Sequence, residues 1–88
     1  MNRTVFKYTV PVFAGVSSSL ALPKDAQIIK VDMKGALITL WVIVEPNNER
    51  VLRSFIVHGT GHAVHPKGVY VGTVFDGPFV WHLFELMG

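Results

Sequence analysis

The chain has 88 residues, a formal charge of +2 and no cysteine; half of its residues are hydrophobic and only 16% are charged. This excludes disulfides and thiolate metal sites, leaves room for one domain (1–88), and argues against polymeric nucleic acid, because the lysines and arginines never cluster into a basic stripe. No apolar run approaches the roughly 20 residues of a membrane helix, and a chain this small buries only roughly 60–65% of its unfolded surface, so the excess apolar surface predicts a homo-oligomer.

Residues 3–10 (RTVFKYTV) alternate, with Phe6, Tyr8 and Val10 on one side and Val5, Lys7 and Thr9 on the other, as in a first strand. Pro11 ends it, having no N–H for a ladder. Residues 16–22 (VSSSLAL) predict a weaker strand at a sheet edge, where small polar residues and the following Pro23 are tolerated. After a turn at 23–27, residues 28–34 (IIKVDMK) place Ile29, Val31 and Met33 toward a core and Lys30, Asp32 and Lys34 toward water. Lys34 and Gly35 make a tight turn into residues 36–44 (ALITLWVIV), which predicts a hairpin. That last run is apolar on both faces and β-branched, so it reads as a central strand covered on both sides.

Pro46, Asn47, Asn48 and Glu49 carry turn chemistry and predict a second hairpin into residues 51–58 (VLRSFIVH), completing a three-stranded meander. Residues 59–68 (GTGHAVHPKG) form the longest loop. Strands at 69–75 and 79–87 follow, separated by a turn at Asp76, Gly77 and Pro78. About seven short strands without a helical period indicate an all-β fold, a compact antiparallel sandwich or small barrel.

Residues 22–31 (LPKDAQIIKV), 40–42 (LWV), 53–55 (RSF), 59–62 (GTGH), 70–74 (YVGTV) and 79–85 (FVWHLFE) together resemble a family of short, functionally uncharacterised phage and prophage proteins. The resemblance implies a viral origin and no established activity; the lack of cysteine and of a recognisable targeting segment suits the host cytoplasm. Small phage proteins are often host-takeover or anti-defence factors, some of which sequester nucleotide signals, and that analogy extends here by size and origin alone.

The 59–68 loop is the candidate site. Gly59 and Gly61 would let backbone N–H groups approach an anion, Thr60 adds a hydroxyl, Lys67 a charge, and His62 and His65 adjustable donors. The alternative is a loop whose glycines only satisfy turn geometry, since the phosphate-loop and dinucleotide patterns are absent. His58, His62 and His65 raise the question of zinc, but Gly59, Gly61 and Pro66 oppose the helix that would align them, and we expect no metal or cofactor. Trp41, Trp81, Tyr70 and Phe79 could stack a base or anchor a core or interface. Arg53 could clamp a carboxylate or phosphate or point to solvent near Glu45 or Glu49. His82, in an apolar strand, reads as a hydrogen-bonded core or interface histidine.

The ligand set expected is therefore Arg53, Thr60, Gly61, His62, His65, Lys67, Tyr70 and Trp81, holding a phosphate-bearing molecule such as a nucleotide signal. Two other readings stand beside it: a non-catalytic factor that binds a host or viral protein, and a small hydrolase with His62 as general base.

Overall fold

The computed structural model describes residues 2–87. Seven strands follow one another: β1 (Thr4–Pro11), β2 (Ser18–Pro23), β3 (Gln27–Lys34), β4 (Leu37–Val44), β5 (Arg50–Gly59), β6 (Gly68–Asp76) and β7 (Phe79–Leu86). They form two antiparallel sheets, a three-stranded one ordered β1-β4-β3 and a four-stranded one ordered β2-β5-β7-β6. The sheets pack face to face as a sandwich, and no closed barrel forms.

Alternation builds the core between them. Ile38, Leu40, Val42 and Val44 of β4 meet Phe55 and Val57 of β5, Leu83 of β7 and Val74 of β6, with Val10, Leu22 and Ala26 completing the cluster. β4 is the central strand of its sheet, as its composition predicts. It is not covered on both sides: the described residues form no third layer, and the outer residues Trp41 and Ile43 stay half-exposed. Lys30 from β3 shields the indole, its Nζ lying 5.4 Å from the ring centroid.

The two-residue hairpins follow their turn chemistry. Gly35 and Gly77 occupy the first central position with φ of 59° and 56°, and the following Ala36 and Pro78 keep negative φ, the pattern of a type II′ turn. The meander expected through β5 is corrected. β1 and β3 already occupy both edges of β4, so the 45–49 turn carries the chain into the other sheet. The 24–26 turn makes the reverse crossing, and the two are tied together. Lys24 N–H donates to Glu49 O (2.8 Å), and Asn48 Nδ2 donates to Lys24 O (2.9 Å).

A bulge between Ile28 and Lys30 corrects the facing of β3. The extra residue turns Ile29 outward, 49% exposed, while Ile28, Val31 and Met33 pack on the core.

At this corner the sheets nearly touch. A Cβ on Gly72 of β6 would lie 2.2 Å from Val31 Cγ2. Valine is stiff at χ1, so Gly72→Ala must separate β3 from β6, and a loss of about 1–3 kcal/mol is expected in urea unfolding. Pairing it with Val31→Ala, which makes room, should recover part of that loss.

Candidate functional site

β5 and β6 both run antiparallel to β7 and flank it, so they are parallel to each other. Their connection therefore cannot be a hairpin. Gly59 pairs with Trp81 and Gly68 with Leu86, so residues 60–67 run back along β7 over the outer face of the four-stranded sheet. This crossover is the glycine- and histidine-rich loop.

Its backbone is held by imidazoles. On the outer face of β5, buried His58 accepts the His65 N–H at Nε2 (3.1 Å). His62 accepts the Gly59 N–H at Nδ1 (3.2 Å), and His65 accepts the Lys67 N–H at Nδ1 (3.0 Å). Two turns complete the path. His62 N–H donates to Gly59 O (3.1 Å) and Gly68 N–H to His65 O (2.9 Å), with Gly61 at φ 90° in the first and Pro66 after His65 in the second. Phe84 fills the space beneath, its ring centroid 5.6 Å from that of His58 and 5.8 Å from that of Tyr70.

The amides of Gly59, His62, His65, Lys67 and Gly68 are thus consumed within the chain. The expected anion cradle of outward N–H groups is not built from them. Among the described residues, no group of three His, Cys, Asp or Glu side chains is placed to hold a metal.

A second chain of polar contacts runs across the same face. Thr60 Oγ1 lies 2.9 Å from His82 Nε2, His82 Nδ1 lies 3.0 Å from Thr73 Oγ1, and Thr73 Oγ1 lies 2.7 Å from the Tyr70 hydroxyl. His82 is hydrogen-bonded at both nitrogens, as expected, but it stands half-exposed on the outer face and not in the core. Its link to Thr60 depends on the crossover, which strand pattern does not reveal.

The expected ligand residues divide among several places. Thr60, His62 and Trp81, with Gly59, Pro78, Phe79 and Val80, line an open cleft of about 480 Å³. Phe79 and Trp81 stack, 5.7 Å between centroids and 18° between planes. Asp76 Oδ2 accepts weakly from the indole N–H (3.4 Å). Gly59 has no side chain to separate the indole from the His62 ring: a Cβ there would sit 3.0 Å from His62 Cε1 and 3.4 Å from Trp81. Gly61 supplies the turn. His65 and Lys67 lie at the far end of the crossover, and Tyr70 stands on β6 at the end of the polar chain.

Arg53 is elsewhere, on the inner side of the opposite end of the sheet, near Tyr70 and Glu85. Its Nε and Nη2 donate to Glu85 Oε2 (2.6 Å) and Oε1 (2.7 Å), and its Nη1 donates to Ala26 O (2.6 Å). It does clamp a carboxylate bidentately, but one of the chain's own. Donating hydrogen bonds to Glu85 raises the guanidinium above its ordinary value, against the opposing effect of burial. A raised basic group keeps its stabilising charge at all pH below its ordinary value, so the guanidinium stays charged throughout the accessible range.

The whole chain, residues 1–88, matches the family described as "Domain of unknown function (DUF7352)". The protein therefore belongs to the DUF7352 family. No curated protein and no solved structure matches it.

Two substitutions separate scaffold from cleft. Arg53→Met leaves Glu85 and Ala26 O without their partner, and about 2–4 kcal/mol of unfolding free energy should be lost. His58→Phe orphans the His65 amide; a loss of about 1–3 kcal/mol is expected, and hydrogen exchange should show residues 60–67 opening before the sheets.

Proposed function

We propose that the protein is a non-catalytic binding protein that takes a planar, acceptor-rich small molecule, such as the base of a nucleotide, in the cleft between the crossover and the β6–β7 turn. One observation carries this reading: the stacked Phe79–Trp81 pair faces a rim of Thr60 and His62 across about 480 Å³. Apolar rings with a few polar groups at the edge are the make-up of a small-molecule pocket, and a base stacks on such rings whatever its identity.

The protonation pattern of His62 supports binding over hydrolysis. Its Nδ1 lone pair is engaged by the Gly59 N–H, so in the neutral ring the proton sits on Nε2. The imidazole then presents a donor and has no free lone pair for a general base. A donor at the rim suits a carbonyl, a ring nitrogen or a phosphate oxygen. The cleft lining contains no lysine or arginine, so a nucleotide would place its phosphates toward solvent. Resemblance to short phage proteins supports sequestration of a nucleotide immune signal in the host cell as the setting.

A second reading rests on the exposed apolar side chains. Leu52 is 77% and Phe75 74% exposed, which supports a protein partner.

Thermal unfolding in the presence of mono-, di- and cyclic nucleotides and other planar phosphorylated metabolites tests the first reading. A ligand at a hundred times its Kd adds about 2.7 kcal/mol. The expected result is a rise in Tm for one compound, with quenching of tryptophan emission, both lost in Trp81→Ala and retained in Lys24→Ala. A ligand whose affinity is indifferent to Trp81→Ala and His62→Ala would overturn the cleft assignment. Absence of any shift across the panel would favour the protein-partner reading.

A further inference from the structure

The four sheet edges are unequal. β1 carries Lys7 and ends in Pro11. β3 carries Lys30, Asp32 and Lys34 and is bulged at Ile29. β2 is six residues long and ends in Pro23. Charges, prolines, bulges and short length all discourage edge-to-edge pairing. β6 runs nine residues (GVYVGTVFD) with no lysine, arginine or proline and no charge before Asp76. It pairs with β7 on one side only; no strand is hydrogen-bonded to its other side, although β3 packs against its inner face where Val31 meets Gly72. Val69, Tyr70 and Phe75 on this strand are 52%, 59% and 74% exposed.

The flanking charges select the occupant. Lys67 stands just before β6 and Asp76 at its end. A second copy arriving in parallel would set like charge beside like. Arriving antiparallel, it sets Lys67 against Asp76 of the partner subunit, twice, about a two-fold axis. The bulge at Val71 lies at the centre of that register. The two irregularities then meet at the axis and leave a regular arm on each side.

We propose that the chain dimerises through β6, edge to edge and antiparallel, joining two four-stranded sheets into one continuous sheet. The contact lies beside the aromatic cleft, where Asp76 also accepts from the Trp81 indole, so the Lys67 side of each pair is the one that reports on the dimer alone. Val69 on each copy adds apolar contact beside the new ladder, and Lys67 with Asp76 fixes direction and register.

Sedimentation equilibrium of the full chain tests this. The expected species has twice the 9.8 kDa chain mass. Lys67→Asp and Asp76→Lys should each raise the dimer Kd by about tenfold or more, because symmetry turns two attractive pairs into two repulsive ones. The double swap should restore most of the affinity. Circular dichroism melts of the variants check that the fold survives, and Lys67→Asp, whose side chain makes no hydrogen bond or ion pair among the described residues, is the cleaner of the two. A chain that stays monomeric at about 1 mM, where even a weak contact of about 4 kcal/mol would register, overturns the proposal. So does a dimer indifferent to both reversals.

Discussion

The structure depends on the parallel relation of β5 and β6. With β7 between them, the connecting residues must return along the length of β7 on one face of the sheet. A connection lying on a sheet buries part of its backbone, and buried amides need partners. Strand ladders cannot supply them, because the sheet beneath is already paired. Here imidazoles do: His58 from β5, and His62 and His65 from the crossover itself. The histidines are therefore fixed by topology before any ligand is considered.

The same constraint positions the aromatic cleft. The first turn of the crossover is pinned at Gly59, directly beside Trp81. That places Thr60 and His62 along the rim of a floor made by Phe79 and Trp81. At the other end of the sandwich the requirement is closure. Gly72 lets β6 approach Val31 of β3, and the Arg53 fork joins β5, β7 and the turn before β3. Closing that corner uses the guanidinium and leaves the cleft to work with neutral donors.

All seven strands were legible in the sequence, some from period-two alternation as in β1 and β3 and others from unbroken apolar, β-branched runs as in β4, set apart by turns that carry glycine, proline or asparagine. Edge placement of β2 was also legible, from its serines and its closing proline. Pairing was not. The 45–49 turn has the same local chemistry whether it makes a hairpin or a corner between sheets; the choice is made by β1, far back in the chain, which takes the free edge of β4. Ile29 misled for a related reason, since one inserted residue reverses the facing of its neighbours and leaves no mark in composition. Of the expected ligand residues, Thr60, His62 and Trp81 converge. Arg53 does not: it is taken by Glu85, and nothing local shows that Glu85 lies across the ladder from Phe55, two residues along β5 from Arg53 and on the same face.

The histidine loop shows how residue type and chemical role part company. Glycines and histidines in one stretch suggest an anion cradle or a metal site when each group is counted as available. Counting hydrogen bonds changes the outcome. Each of the three imidazoles accepts a backbone N–H with one nitrogen, so a neutral ring keeps only a proton to offer at the other. Of the three, only His62 lines the cleft, and on the proposed reading it would donate there. With the rings of Phe79 and Trp81 beneath and no lysine or arginine in the lining, selectivity would then fall on shape and on the acceptor pattern of the ligand edge. A flat heterocycle with a carbonyl or ring nitrogen meets both demands. A bare phosphate meets only the second, and it would leave the stacked rings of Phe79 and Trp81, the apolar part of the cleft, without a contact.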